Sequence, residues 1–434
     1  MASIDVLPLP SPTAASLPPP RKPLPPHQLV LAPMVGGSEL AFRLLARRHG
    51  AQLCYTPMIC CDEWSKPGAG ANLLERHVDD SPLVAHFSGN DPQRLLAVAL
   101  EAERCSGVVA IDLNLGCPQR TARAGHFGAF LCDPVDRTLL LRIVSTLSRS
   151  LRVPFFCKIR LLDDLDDTLQ FVSQLQDAGC ALIAVHGRYR GSPMHRRDGP
   201  AHLDQVARIK QAVSVPVITN GNVRNAAELV ESLRITGADG AMTAEAALDD
   251  PAIFAKAAAH VHAERARLRA EVEQARALKK ARRHEPGREL TAEERATVKG
   301  RKALKAQLKS LVQLPPPPSL PPLPPPSLPP PPVAPPSQFD LAEQYTELLA
   351  SHPPPGGADA PLAHAVFHLR RLCRTPLTEY NLLSELQACQ SLQACQGVLK
   401  RCRAYAEGAM AFKGRRRPAS YWRRQQKRGK LPIP

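Results

Sequence analysis

Eight short apolar runs, separated by amphipathic stretches, constrain the fold of this chain more than any other feature of its sequence. They are LVLAPMVG (29–36), QLCYTPMI (52–59), PLVAHFSG (82–89), VAIDLNLGC (109–117), VPFFCKIR (153–160), ALIAVHGR (181–188), VPVITNGN (215–222) and GAMTAEAA (240–247). Because continuous apolar strands need helices over their outer face, this alternation predicts the α/β class and a TIM (β/α)8 barrel. An open doubly wound sheet is the alternative, but eight repeats count against it and no G-x-G-x-x-G follows the first run.

Composition divides the 434 residues into five parts. The N-terminal lead is rich in Pro, Ser and Ala without periodicity, and the segment after the barrel is rich in charged helix formers. The proline run at 314–338 is typical of a stiff polyproline II linker, with recruitment of a proline-binding module as the alternative. The sequence therefore predicts a disordered lead (1–27), a barrel domain (28–258), a charged helix and disordered Pro-rich linker (259–338), a small all-α helical domain (339–410) and a basic tail (411–434).

The charge balance indicates a polyanionic partner. The chain has 56 Lys and Arg against 40 Asp and Glu, a net charge of +16, and residues 413–430 hold nine basic residues and no acidic one. Such a segment gains affinity by releasing counterions from phosphates. Tyr421 and Trp422 lie among these arginines and favour nucleic acid, since bases stack on aromatic rings. A nuclear-targeting or merely solvated tail is the alternative.

Cysteine usage predicts that the chain works in a reducing compartment. Its hydropathy predicts that it has no membrane-spanning helix. The twelve cysteines are scattered, and their spacing does not resemble a disulfide framework. No apolar run approaches the roughly 18 to 20 residues that a spanning helix needs. We expect a monomer in the cytoplasm or nucleus. Organelle targeting stays open, because the lead is a poor but conceivable transit peptide.

Polar residues collect where the apolar runs end. In a parallel barrel the loops at the carboxyl ends of the strands build the active site, so these side chains are expected to lie together. They are Asn114, Cys117, Lys158, Arg160, His186, Arg188, Asn220, Asn222 and Glu245.

These motifs, in this order and spacing, resemble the tRNA-dihydrouridine synthase family, most closely its eukaryotic dihydrouridine synthase 1 branch. The resemblance rests on LAPMVGGSELAFRLLARRHGAQLCYTPM, DLNLGCPQRTARAGHFGAFL, CKIR, VHGR and ITNGNV, spans residues 28–254 and resumes at 339–407. It implies an FMN-bearing barrel, a helical tRNA-binding domain and reduction of tRNA uridines by NADPH or NADH. The branch implies positions 16 and 17 of the D-loop.

The resemblance and the chemistry of uracil reduction together give Cys117 the central role. Reducing the C5–C6 bond needs a hydride, which only a cofactor supplies, and a proton donor on the opposite side. Cys117 lies in a glycine-bounded loop and is expected to protonate C5. A structural cysteine is the alternative. A metal ligand has less support, since Cys117 has no C-x-x-C partner and Cys389, Cys395 and Cys402 are spaced six and seven residues apart. We therefore expect no metal site.

The resemblance also assigns the remaining residues. Lys158 and His186 are expected at the flavin ring, with a simple salt bridge and a structural histidine as the alternatives. Asn114, Arg160 and Arg188 are expected to contact substrate, and the target nucleotide is expected to flip out of its stack to reach them. Further flavin contacts are implied for Pro33, Met34, Val35, His86, Asn220, Gly221, Asn222, Ala244 and Glu245, those from Asn220 onward on the phosphate side through backbone amides.

Two further features qualify this assignment. Where the family usually has Gln in the third run, this chain has His86, which cannot present a donor and an acceptor from one rigid end. In the helical part, His364, His368 and Arg371 share a predicted helical face, from which His368 and Arg371 are expected to contact tRNA, although neighbouring apolar residues indicate that part of this helix is core. Two rival functions therefore remain, a catalytically weakened tRNA-binding protein and a flavoenzyme that reduces free pyrimidines.

Overall fold

The computed structural model describes residues 23–66, 73–190, 199–284, 291–310, 314, 335–355 and 360–418. Within these residues the sheet has nine parallel strands, and eight of them close into a barrel because the first (Leu29–Leu31) pairs with the last (Gly240–Thr243) and the second (Leu53–Tyr55) pairs with the fourth (Leu83–Ser88). The predicted TIM barrel is confirmed. The strands are β1 (Leu29–Leu31), β2 (Leu53–Tyr55), β3 (Ile59–Cys60), β4 (Leu83–Ser88), β5 (Val108–Leu115), β6 (Phe155–Leu161), β7 (Leu182–Tyr189), β8 (Val217–Asn220) and β9 (Gly240–Thr243).

The second apolar run forms two short strands instead of one. Both β2 and β3 pair with β4, at its beginning and at its end. Between them lie residues 56–58, where Pro57 has no N–H to give to the ladder. The Thr56 hydroxyl accepts a hydrogen bond from the His86 N–H at 3.0 Å, which bridges the interruption.

Helices follow the strands and cover the barrel, as the alternation predicted. Local signals define their ends. The helix Ala226–Thr236, for example, begins after Asn225, whose side chain accepts a hydrogen bond from the Glu228 N–H, and it ends at Gly237 in the left-handed conformation. The helices are α1 (Leu40–Arg48), α2 (Cys61–Trp64), α3 (Pro92–Ala102), α4 (Arg120–Ala124), α5 (Arg137–Ser150), α6 (Leu165–Asp177), α7 (Leu203–Ala212), α8 (Ala226–Thr236), α9 (Glu245–Asp249), α10 (Ile253–His284), α11 (Ala292–Ser310), α12 (Gln338–Ser351), α13 (Ala360–Leu372), α14 (Arg374–Glu379), α15 (Leu383–Gln387) and α16 (Leu392–Ala406).

The barrel interior is a separate core that is closed at the amino-terminal end of the strands. Inward-facing side chains such as Val30, Val84, Phe156 and Ile218 form this core, and Leu24 packs against it from below. Residues 1–22 lie outside the described residues. The last residues of the predicted lead therefore belong to the barrel, because Leu24 covers apolar surface that would otherwise face water.

The boundary predicted at residue 258 does not separate two elements. Helix α10 runs from the barrel into the charged segment without interruption and packs along α11. Helix propensity continues across residue 258, and Val261 and Leu268 still bury apolar surface. Of the proline run, residues 315–334 lie outside the described residues. Among the described residues, every helix is too short or too polar to span a bilayer.

The region from α12 to α16 packs on the barrel through α12 against α1 and through α13 against α9. It extends beyond the predicted boundary at residue 410. Phe412 packs against Tyr380 and Tyr405, and the Arg417 N–H donates to the Glu379 carbonyl at 2.9 Å. The beginning of the basic tail is thereby attached to the helical region, while residues 419–434, including Tyr421 and Trp422, lie outside the described residues.

Candidate active site at the mouth of the barrel

Strand alternation aims one set of polar side chains into the open end of the barrel. The inner core takes Ala110, Phe156 and Ala184 from three neighbouring strands, so the residues two and four positions further along also point inward. Pairing sets Asn114 opposite Lys158, and Arg160 opposite His186, which in turn lies opposite Asn220. The sequence-predicted residues at the ends of β5 to β8 therefore converge on one mouth.

The loop that carries Cys117 is held by Asn114. The Asn114 Oδ1 accepts hydrogen bonds from the N–H groups of Gly116 at 2.9 Å and Cys117 at 3.1 Å. Its Nδ2 lies 2.9 Å from the Met58 sulfur. On the other side, Gly128 has a φ of +64°, and a Cβ there would lie 2.8 Å from the Cys117 carbonyl oxygen. A glycine at position 128 is required for the loop to close over the half-buried Cys117.

Cations surround the cysteine. Burial, and then repulsion from Arg160, lowers the pKa of Lys158 to about 8, and attraction to Asp112 and Cys117 opposes the shift. Burial also lowers the pKa of Arg160, helped by Arg188 and opposed by Cys117. The Arg160 Nε donates to the Gly116 carbonyl at 2.8 Å. Cys117 is therefore close enough to interact electrostatically with both cations.

His186 completes this group as a neutral imidazole. Burial, followed by the charges of Arg160 and Lys158, lowers the pKa of His186 well below its ordinary value. The ring lies beside Gly221, where φ is +118° and a Cβ would approach the His186 Cδ2 to 3.2 Å. A side chain at position 221 would therefore both strain the backbone and press on the imidazole.

Burial and a neighbouring carboxylate fix the orientation of His86. Its Nδ1 lies 2.5 Å from the Asp112 Oδ2, and both side chains are buried. Burial raises the pKa of Asp112, while His86 and Lys158 oppose the shift. When Nδ1 donates to the carboxylate, Nε2 of a neutral ring can only accept a hydrogen bond. To donate toward the mouth through Nε2, His86 must be the imidazolium.

Asp112 is the residue that the sequence analysis missed. It lies between Ala110 and Asn114 in the same alternating set, so the period of a strand would have found it. Within the described residues, its buried Oδ1 has no hydrogen-bond partner.

Loops after β1, β8 and β9 form the other side of the mouth. The Met34 N–H donates to the Ser38 hydroxyl at 2.9 Å, while Val35 is 76% exposed. After β8, the Asn220 Nδ2 donates to the Met242 carbonyl at 2.9 Å, and the Asn222 Oδ1 accepts from the Ala201 N–H at 2.8 Å. Further backbone positions of these loops are Pro33, Gly221, and Ala244 before α9, which begins at Glu245.

The predicted tRNA contacts of the helical region are wrong for His368 and Arg371. His368 is fully buried, and its Nε2 lies 2.9 Å from the Glu39 Oε1. Arg371 is only 5% exposed and donates to the Glu245 carboxylate at 2.7 Å and the Asp249 carboxylate at 2.7 Å. Both side chains face the barrel because α13 docks there, so they offer no surface to RNA.

Comparisons with known proteins agree with this architecture. The family model described as dihydrouridine synthase matches residues 30–315. A tRNA-dihydrouridine(16/17) synthase-like protein of Mus musculus is 41% identical over 233 residues, which is 52% of this chain and 47% of the relative. The tRNA-dihydrouridine(16/17) synthase of Saccharomyces cerevisiae is 36% identical over 239 residues, 52% of this chain and 53% of the relative.

A third relative is covered more completely. A tRNA-dihydrouridine(20a/20b) synthase-like protein of Homo sapiens is 39% identical over 230 residues, 52% of this chain and 70% of the relative. The chain spans about half the length of the mouse and yeast relatives. The match covers β1 to β9 and the mouth that they form, and this chain belongs to the dihydrouridine synthase family.

Proposed function

We propose that this chain reduces uridine to 5,6-dihydrouridine in tRNA, at positions 16 and 17 of the D-loop, with FMN as cofactor and NADPH or NADH as reductant. Family membership supports the reaction class, and the names of the mouse and yeast relatives, which specify positions 16/17 and NAD(P)(+), support the substrate and reductant. The single observation that carries the proposal is the convergence of Cys117, Lys158 and His186 on one mouth.

The donor set of the mouth fits a flavin mononucleotide. Among the described residues, the buried Oδ1 of Asp112 has no hydrogen-bond partner, and the partly buried Lys158 and His186 point into the same mouth. Buried polar atoms are normally paired, so the Asp112 oxygen is expected to meet a bound molecule, and Lys158 and His186 offer donors beside it. Lys158 is mostly protonated at neutral pH and would lie against the anionic edge of the ring. Pro33, Met34, Val35 and His86 would contact the same ring.

The phosphate would bind on the opposite side of the mouth. Backbone N–H groups of residues 220–222 and 244–245 are the expected donors, since two consecutive left-handed residues, Gly221 and Asn222, turn the backbone there. The side chain of Glu245 is engaged by Arg371 and does not compete for this position.

In the proposed reaction, bound FMN that NADPH or NADH has reduced would supply the hydride for C6 of the uracil. The chain supplies the proton: the Cys117 Sγ–H donates to C5, and Asn114 holds the loop so that the thiol stays at the mouth. Arg160 and Arg188 would bind the uracil carbonyls and stabilise the charge that develops on them. A base inside folded tRNA cannot reach this mouth unless its nucleotide flips outward.

The test is nucleoside analysis of tRNA incubated with the protein, FMN and NADPH. Cys117→Ala is expected to lower dihydrouridine formation by roughly 10²- to 10⁴-fold, the usual contribution of a general acid, while bound flavin is unchanged. Cys105→Ala is the matched control, because Cys105 precedes β5 and lies at the opposite end of the barrel.

Three results would contradict the proposal. An unchanged product yield from Cys117→Ala would refute the role of the thiol. Protein that is colourless and takes up no flavin would favour the weakened tRNA-binding protein. Turnover of free uracil that is unaffected by removing residues 339–434 would favour the free-pyrimidine reductase.

A further inference from the structure

We propose that Glu39, His364 and His368 bind a zinc ion that fastens the helical region to the first strand–helix loop of the barrel. Glu39 precedes α1, and the two histidines lie one turn apart on α13. This site is separate from the proposed reductase chemistry, and its test does not depend on that chemistry.

The three side chains are close enough to share one ion. The His368 Nε2 lies 2.9 Å from the Glu39 Oε1, and the His364 Nδ1 lies 3.7 Å from the Glu39 Oε2. The candidate ligand atoms all lie within 4.8 Å of one another. Tetrahedral zinc with bonds of about 2.0–2.1 Å holds its ligands roughly 3.3 Å apart, a spacing between the two measured contacts. Small side-chain adjustments would therefore complete the site.

Unsatisfied polar atoms are the second observation. Glu39 is 3% exposed and His368 is fully buried. Within the described part of the chain, the Glu39 Oε2 and the His368 Nδ1 have no hydrogen-bond partner, whereas the His368 Nε2 lies 2.9 Å from the Glu39 Oε1. A buried donor or acceptor without a hydrogen bond costs about 1–3 kcal/mol, so the unpaired Glu39 Oε2 needs an explanation. A cation bound by the Glu39 Oε2 together with one ring nitrogen from each histidine would provide it.

Neighbouring aromatic residues hold the side chains of Glu39 and His368 in place. Tyr345 donates to the Glu39 Oε1 at 2.7 Å and so orients the carboxylate as an outer-shell residue does. Phe42 stacks on the His368 ring with centroids 4.5 Å apart, and Tyr345 covers its edge at 4.5 Å.

The ligand types indicate which metal. Two imidazole nitrogens and one carboxylate oxygen form a common zinc donor set, whereas calcium and magnesium prefer oxygen ligands throughout. The spacing His-x-x-x-His places both rings on the same face of a helix, and the carboxylate comes from a different domain. A bound ion would therefore hold α13 against the loop that also carries Met34 and Val35.

The test is the zinc content of untagged, full-length protein after incubation with zinc sulfate and dialysis. We expect about one zinc per chain in the wild type. His364→Ala and Glu39→Gln are expected to weaken zinc affinity by roughly 100-fold or more, measured by competition with a chromophoric chelator. His352→Ala is the matched control, because His352 packs against His77 outside the cluster.

Cobalt provides a second readout that a merely structural role of the residues would not change. Co²⁺ bound in a site of low coordination gives intense visible absorption, which is expected in wild type and His352→Ala and is expected to be lost in His364→Ala. His364 is half-buried, so this variant is expected to fold, which circular dichroism checks. Wild-type protein that binds neither zinc nor cobalt overturns the proposal. Equal zinc affinity in wild type, Glu39→Gln and His364→Ala also overturns it.

Discussion

At the scale of single residues, the mouth of the barrel contains the positive charge of Lys158, and burial disfavours the charged form of this side chain. Lys158 has the pKa of about 8 because its ammonium is desolvated and lies near Arg160. Such a cation destabilises the protein without ligand and stabilises an anion that binds beside it. The effect of Lys158 on the stability of the ligand-free protein and its effect on ligand affinity can therefore be measured separately.

The first prediction concerns the stability of the ligand-free protein. The ordinary pKa of lysine is 10.5, so a shift to about 8 corresponds to a penalty of up to about 3 kcal/mol that is fully present below pH 8 and disappears as the pH rises through 10.5. Lys158→Met is expected to raise the free energy of unfolding at pH 7 by about 1–3 kcal/mol in urea denaturation.

The matched control is Lys66→Met, since Lys66 is exposed and its ammonium contacts the Glu63 carboxylate. Its expected effect is within about 0.5 kcal/mol. The advantage of Lys158→Met should shrink between pH 8 and pH 10. A destabilised Lys158→Met protein at pH 7 would show that Lys158 is not a buried, unpaired cation.

The second prediction concerns flavin affinity and pH. If the Lys158 cation holds the flavin, FMN affinity is expected to stay level from pH 6 to 7.5 and to fall as the pH rises through 8, because the ammonium loses its proton there. Lys158→Arg keeps its charge and should remove the decline. Fluorescence titration of FMN measures both proteins, and a decline that persists in Lys158→Arg would assign it to another group.

At the scale of elements, α13 joins two loops that are far apart in sequence. His368 contacts Glu39 after β1, and Arg371 contacts Glu245 and Asp249 after β9. These loops are neighbours because β1 pairs with β9 when the barrel closes. One face of α13 therefore contacts both loops, through His368 and Arg371, which are three positions apart in the sequence.

The third prediction tests this contact. Arg371→Gln is expected to lower the free energy of unfolding by about 2–3 kcal/mol, because charged hydrogen bonds to Glu245 and Asp249 are lost. Hydrogen exchange of the amides in α9 is expected to become faster. Arg370→Gln is the control: burial, and then the charge of Arg371, already lowers the pKa of Arg370, so its removal should be neutral or slightly stabilising. Equal losses in the two variants would contradict a specific role for Arg371.

At the scale of the whole molecule, the barrel and the helical region form one body with an uneven distribution of charge. The net charge of +16 owes much to residues 413–430, and the first part of this segment is attached to the helical region through Arg416 and Glu379. A polyanion bound to residues 413–418 would lie beside the helical region.

The fourth prediction concerns tRNA affinity. Deleting residues 419–434 removes five basic residues, and the tRNA affinity is expected to fall with a smaller dependence on salt concentration, because fewer counterions are released. Filter binding at several salt concentrations measures both quantities. Deletion of residues 1–20 is the control and should leave the salt dependence unchanged. An unaltered slope after deletion of residues 419–434 would mean that the tail is solvated and makes no phosphate contacts.

The barrel was predictable from the sequence because its signals are local. Apolar runs, the alternation of strands and the glycines at helix ends depend on a few neighbouring residues, so all eight runs and the polar strand ends were located correctly. Asp112 was missed although the same alternation contains it. The division of the second run into two strands and the continuity of α10 across residue 258 could not be predicted from composition. The first depends on strand pairing and the second on helix packing.

What only the tertiary structure decided is the environment of each polar side chain. His368 and Arg371 share a helical face that the sequence marks as polar and basic, which is equally compatible with bound RNA and with a buried interface. Their partners, Glu39, Glu245 and Asp249, lie more than 100 residues away along the chain, and only closure of the barrel brings them to α13. Periodicity determines which residues share a face, whereas burial depends on what packs against that face.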